Sequence, residues 1–315
     1  MFTIATWEDI ELLRENPRSL SRARHRGEVV RIRPGYYLDT EIWAEAPPWQ
    51  RMALIISARA AAFPKTIFCG ASAVFLHDLP LLNLPATIEL AAAPHAFSHT
   101  YPPLTDRVEG ARGRQRWGFV TRPGEIMTET AHGLRVQEIG EAVGEYLRAA
   151  DFRSGVVVLD AYRHRLKEQE TPLGHIPAEW LSTGIAAERH RVEAAWAAST
   201  DLSESPAETL TRINAIMLGF APPQLQVWVV APNGKRYRLD LVWPGRRIVG
   251  EVDGKRKLGT TPEEKAKALA EERERQEALQ QMGYHVVRIT MKDAEDPARL
   301  REILLGNDVP MERVA

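Results

Sequence analysis

Apolar and polar positions change rhythm several times along the chain, and each change marks a predicted element. Trp7, Ile10 and Leu13, with Leu12 beside them, repeat at helical spacing over residues 7–14, until Asn16-Pro17 interrupts. A short basic helix is predicted over 19–25, stopped by Gly27. Residues 29–33 and 36–38 then read as strands about the turn Pro34-Gly35. Farther on, the spacing predicts helices at 50–62 and 70–77, strands at 87–92 and 117–122, and helices at 136–149, 154–167 and 177–198. Ser199 to Ser205 is short and polar, and a domain boundary is expected there.

Beyond that boundary the rhythm is clearest. A helix over 206–218 opens with Ser205 as cap and Pro206 at the first helical position. Strands are predicted at 225–230, 237–242 and 247–252, separated by turns at Pro232-Asn233-Gly234 and Pro244-Gly245. Asn-Gly and Pro-Gly between alternating apolar runs are hairpin signals. A charged helix over 262–282, a strand over 285–289 and a closing helix over 297–305 complete the order. The fold class expected is therefore α/β: an α+β N-terminal region, then a mixed sheet flanked by helices. At the front, the order helix, turn, basic helix, ribbon is the outline of a winged helix. Three regions follow: 1–47 winged-helix-like, 48–198 α+β, and 199–315 carrying the mixed sheet.

Composition narrows the classes. Formal net charge is −1 over 315 residues, so any charge for a nucleic-acid partner must be local. The single cysteine, Cys69, excludes an intramolecular disulfide framework and any multi-cysteine zinc site, and is expected to be a small buried residue. The N-terminus lacks the basic start and apolar run of a signal peptide, and no stretch approaches the roughly 18 apolar residues of a membrane span. A cytoplasmic protein without membrane contact is expected. No phosphate-binding glycine motif occurs, and His77, His95, His99 and His132 show no metal-ligand spacing.

The candidate chemistry lies in the C-terminal region. Asp240 ends an alternating run, and Glu251 follows eleven residues later. If Pro244-Gly245 closes a hairpin, the two acids stand on neighbouring strands, and Asp253 shares the face of Glu251. Acids on one face of paired strands repel unless something positive sits between them, and a hard divalent cation is the natural partner. Glu208 adds a carboxylate in the first turn of the preceding helix, where compensation of the helix dipole is the simpler role. Surface charge guarding an edge strand is the alternative for the acids. Against it, Glu251 sits in the apolar run Ile248-Val249-Gly250-Glu251-Val252, where a carboxylate needs a partner or a metal.

The ordered series Glu208, Asp240, Glu251-Val252-Asp253-Gly254 and Lys257, followed by Glu272, Arg275, Leu279 and 283–288, resembles the PD-(D/E)XK nuclease superfamily. Within it, the series is most similar to domains related to very-short-patch-repair endonucleases, and covers roughly the last hundred residues. The resemblance implies a restriction-endonuclease-like fold and Mg²⁺ or Mn²⁺ held by Asp240 and Glu251, with Glu208 as an auxiliary ligand. It also implies a lysine two places after the second acid, but Asp253 stands there. Asp253 could hold a further metal or act as a base. Lys255 or Lys257 could supply the missing charge, or Lys255-Arg256-Lys257 could be a phosphate-contacting loop.

From Arg18 to Arg33 the chain carries Arg18, Arg22, Arg24, Arg26, Arg31 and Arg33 against one acid, Glu28. Arginines on a short helix and a ribbon suit phosphate contact and groove reading, although a solvated basic face on a small adaptor has the same composition. Residues 31–37, with Ala71-Ser72-Ala73 and Leu79-Pro80-Leu81, resemble the AbiEi-type abortive-infection antitoxins. That resemblance implies DNA binding and a toxin or defence-system partner. Two functions from different classes follow: a metal-dependent endonuclease acting on DNA, with RNA also open, in phage defence or repair, and a non-enzymatic antitoxin-like regulator that uses the nuclease fold for binding.

Overall fold

The computed structural model describes residues 17–85, 87–91, 100–101, 115–120, 126–253 and 261–312. The protein is α/β, as its patterning predicts. In chain order the first elements are α1 (Pro17–His25), β1 (Val29–Arg33), β2 (Tyr36–Asp39), α2 (Thr40–Glu45), α3 (Pro48–Ala62), β3 (Ile67–Phe68) and α4 (Gly70–Leu76). They are followed by β4 (Thr87–Ala91), β5 (Thr100–Tyr101), β6 (Gln115–Val120), β7 (Thr128–Ala131), β8 (Leu134–Gln137), α5 (Ile139–Ala149), α6 (Phe152–Glu168), α7 (Ala178–Leu181) and α8 (Ala186–Ala198). The chain ends with α9 (Pro206–Met217), β9 (Gln224–Val230), β10 (Arg236–Trp243), β11 (Ile248–Asp253), α10 (Pro262–Gln281), β12 (His285–Thr290), α11 (Met291–Glu295) and α12 (Pro297–Gly306). The helix expected over 7–14 lies outside the described residues.

The chain divides into two compact units rather than the three regions 1–47, 48–198 and 199–315. One unit takes Met1–Ala149 with Ala178–Glu188, and the other takes Ala150–Pro177 with Arg189–Ala315. The first correction has a packing cause. Ile32 and Leu38 of the β1–β2 ribbon are buried in one cluster with Met52, Ile55 and Ile56 of α3 and with Phe68 and Val136 of the six-stranded sheet β5-β6-β4-β3-β8-β7. Ribbon and sheet therefore share a core. The second correction has an electrostatic cause. Asp160 of α6, 1% exposed, pairs with Arg212 of α9 at 2.7 Å, and also accepts hydrogen bonds from Thr209 Oγ1 and the Thr200 backbone N–H. A carboxylate so far from water needs those donors, and they join α6 to the C-terminal unit.

Two predicted helices are interrupted. Residues 134–137 are a strand, with Val136 paired to Phe68 and Glu129, so the helix expected from 136 starts at Ile139. The helix expected over 177–198 is two pieces, α7 and α8. Ser182-Thr183-Gly184 breaks it, and Thr183 Oγ1 donates to Glu188 Oε2 at 2.5 Å, a local bond that competes with the helix.

The second unit is built on the sheet β12-β11-β10-β9, antiparallel except for the parallel pair β11–β12. Joining a parallel pair requires a crossover, and α10 supplies it. Thr261 and Glu264 close a capping box at the start of α10. Leu279 near its end packs into a cluster with Leu239, Val242 and Val249. Behind the sheet edge, Asn214 of α9 donates to the Ala294 carbonyl at 2.7 Å, tying α9 to α11. Trp243, 1% exposed, completes the core and donates its indole N–H to the Ala221 carbonyl.

Candidate functional site

The hairpin that carries the acids is closed by a 3-10 turn over Pro244–Arg246 with Arg247 in the left-handed region, φ 50°. It sets Leu241 against Gly250, Val242 against Val249 and Trp243 against Ile248. One step along, the same register sets Asp240 against Glu251, and facing residues of antiparallel strands share a side of the sheet. Asp240 accepts a hydrogen bond from the Val252 N–H at 3.1 Å, which holds its carboxylate across the two strands. Gly250 is closely packed: a Cβ there would come within 3.3 Å of the Trp243 ring and 3.4 Å of Leu241, so those side chains would have to give by a few tenths of an ångström.

Glu251 is 8% exposed and is neutralised by Arg275 from α10. The guanidinium donates from Nε at 2.8 Å and approaches through Nη2 at 2.7 Å; Nη2 also donates to the Arg238 carbonyl at 2.9 Å. Burial pushes the Asp240 carboxyl above the ordinary range; the Val252 N–H, then Arg275, oppose this, while Glu204 adds to it. Glu208 is also raised, chiefly by burial, opposed by the Glu204 N–H and the Ser205 hydroxyl, with Asp240 repelling it. Four carboxylates (Glu204, Glu208, Asp240 and Glu251) thus share a site with two guanidiniums, since Arg238 pairs with Glu204 at 2.5 Å.

Glu208 has both oxygens engaged. Oε1 accepts from Ser205 Oγ at 2.8 Å, and Oε2 accepts from the Glu204 N–H at 3.0 Å and from Gln226 Nε2 at 2.8 Å. Gln226 itself is held at φ 52° inside β9, a left-handed backbone in a strand. Such strain persists only where surrounding contacts impose it. Neither Gln226 nor Glu204 stands out in the sequence. Arg275 had a signal there: it lies four residues before Leu279, so a helix that buries Leu279 turns Arg275 to the same side.

Among the described residues, no group of three or more acidic, histidine or cysteine side chains is placed to hold a metal ion. The expected ligand trio is therefore not assembled, because Glu208 is committed to the α9 cap and Gln226. The pair that remains, Asp240 and Glu251, is all hard oxygen. That suits Mg²⁺ or Mn²⁺, which can use one or two carboxylates and complete their shell with water and phosphate oxygens. Asp253 closes β11, its backbone paired with Thr290. Its side chain lies outside the described residues, as do Lys255, Arg256 and Lys257.

The arginines of the front region separate into two groups. Arg22, Arg24, Arg26 and Arg31 are exposed, and Arg26 is engaged by Glu28 at 2.5 Å. Arg33 turns inward: its guanidinium lies 4.7 Å from the Phe63 ring and 5.6 Å from Tyr36, and its Nε and Nη1 are buried without a hydrogen-bond partner. Arg18 is in α1, and its side chain lies outside the described residues. Cys69 is buried just before α4, and His77 is buried with Nε2 2.8 Å from the Gln137 carbonyl and 3.5 Å from Glu129. No helix among the described residues is long and apolar enough to cross a membrane. Comparison of the chain with family models, with curated proteins and with solved structures finds no match.

Proposed function

We propose that the C-terminal unit is a metal-dependent nuclease-like domain that binds DNA and hydrolyses a phosphodiester bond, in a cytoplasmic protein of phage defence or DNA repair. The observation that carries this reading is the placement of Asp240 and Glu251 abreast on β10 and β11, in a unit whose order is helix, three antiparallel strands, helix, parallel strand. Mg²⁺ or Mn²⁺ bound between them would supply Lewis-acid activation of water and phosphate. Asp240 and Glu251 orient the reacting groups, and Val252 fixes Asp240 through its N–H. Arg275, whose Nε donates to Glu251 Oε1, would be released to meet a phosphate oxygen if Glu251 took another cation. It offers the positive charge that Asp253 cannot.

The test is supercoiled plasmid with Mn²⁺, comparing the full chain with the Asp240→Ala/Glu251→Ala variant, and an RNA of the same sequence in parallel. Nicking by the parent protein alone is expected. Equal loss of DNA with both proteins, or with neither, overturns the reading.

The Arg275–Glu251 ion pair also favours a second reading, in which the cation place is already filled by the protein and the unit only binds. An antitoxin-like regulator of this kind would contact DNA through Arg24 and Arg31 and answer to a toxin partner. It predicts metal-free, salt-dependent DNA retardation that Arg24→Ala/Arg31→Ala abolishes; retardation unchanged by that variant counts against it.

A further inference from the structure

β9 is the outer strand of the second sheet, and it turns a large aromatic side chain to solvent. Trp228 is 56% exposed and Val230 63%, whereas the other strand tryptophan of that sheet, Trp243, is 1% exposed. Leaving an indole in water forgoes the burial that normally fixes it, so its surroundings decide what it is for. Those surroundings are cationic. Trp228 faces Arg238 across the strand pair, and Val230 faces Arg236. The Arg236 guanidinium lies 4.8 Å from the Trp228 ring centre and that of Arg238 6.0 Å. Arg238 is paired with Glu204, while Arg236 forms no ion pair with any described residue.

Along β10, Arg236 and Arg238 alternate onto the side of the sheet that carries Trp228, opposite the side on which Tyr237, Leu239, Val227 and Val229 pack with Leu279 of α10. Successive residues on that side are about 7 Å apart. The tryptophan and its two arginines therefore form one exposed patch, both aromatic and cationic. An apolar protein partner would gain nothing from the cations. A simple anion would gain nothing from the indole. A nucleotide chain uses both, stacking a base on the ring while its phosphates meet the guanidiniums.

We infer that Trp228, Arg236 and Arg238 form a stacking platform for single-stranded nucleic acid. The inference rests on the nucleic-acid reading of the second unit, but not on hydrolysis at Asp240 and Glu251. An unpaired strand is favoured because the indole needs an accessible base face, which a duplex offers only at its ends. Exposure of Trp228 on β9 also makes its removal harmless to the core.

The experiment measures fluorescence anisotropy of a labelled twelve-residue oligothymidylate with the full chain in EDTA, so that no cleavage intervenes. Trp228→Ala is expected to weaken binding about tenfold, and Trp228→Phe to keep most of it. Arg236→Ala should flatten the dependence of log affinity on log salt by about 0.7, one phosphate on a single strand. Affinity unchanged by Trp228→Ala overturns the platform. So does a change of apparent mass from dimer to monomer in that variant with oligonucleotide binding intact, which would make β9 a self-association edge. If plasmid nicking fails while binding remains dependent on Trp228, the platform stands and hydrolysis falls. If nicking occurs and Trp228→Ala binds as the parent does, the reverse holds.

Discussion

Asp240 is held away from water with a backbone N–H as its direct donor, and Glu208 stands close enough to repel it. Burial raises the pKa of both, so the folded protein keeps their protons to a higher pH than the unfolded chain does. For a carboxyl shifted upward, the stability contribution is fully present below the unfolded value, about 3.9 for Asp, and is lost as pH rises through the folded value. Asp240→Asn removes the charge while keeping an oxygen for Val252. It should therefore raise Tm at pH 7, by roughly 2–4 °C if the relief is ~1 kcal/mol, and the gain should vanish near pH 4. Calorimetry at the two pH values checks it; an equal effect at both would mean that Asp240 does not titrate above its ordinary range. Metal affinity should respond in the same window, because a protonated carboxyl cannot ligate.

At the scale of elements, the site depends on α10 delivering Arg275 to a strand that α10 itself follows. Glu251 and Arg275 are 24 residues apart, and their side chains are only 11% and 18% exposed. Removing the arginine leaves a carboxylate with little water and no cation, a loss of about 3 kcal/mol. A divalent ion would then restore the missing positive charge. Arg275→Ala should melt lower than the parent in EDTA and recover more of its Tm on addition of Mn²⁺ than the parent gains. Equal Mn²⁺ responses would argue against a cation place at Glu251. The hairpin beneath this arrangement was legible in the sequence, because Pro244-Gly245 and the alternation on either side fix which residues face each other. The fate of Glu208 was not. Its partner Gln226 is 18 residues away in a strand whose backbone bends locally into the left-handed region, which no residue pattern announces. The break at Ser182-Thr183-Gly184 was written in turn-forming residues, yet an alanine-rich flank on its C-terminal side masked it.

At the scale of the molecule, the polar stretch at 199–205 reads as a boundary, but it is crossed by a buried, hydrogen-bonded ion pair. Thr200 donates its N–H to Asp160, and Arg212 and Thr209 bond the other oxygen of the same carboxylate. Burial raises the Asp160 carboxyl above its ordinary range, and Arg212 is the largest influence opposing it. Such a contact spans 52 residues of sequence, so composition shifts cannot reveal it. A fragment starting at 199 would keep Arg212 on α9 but lose α6, leaving the guanidinium without its Asp160 carboxylate. The fragment 199–315 should therefore be poorly folded, whereas 150–315, which carries α6, should melt cooperatively. In the full chain, Asp160→Ala should cost about 3–5 kcal/mol, since it strands a buried charge. Circular dichroism melts of the two fragments and of the variant decide the matter. If 199–315 unfolds as sharply and at the same temperature as 150–315, α6 is an accessory to the four-stranded sheet. If only the longer fragment folds, any assay of the Asp240–Glu251 site must use protein that includes residues 150–177.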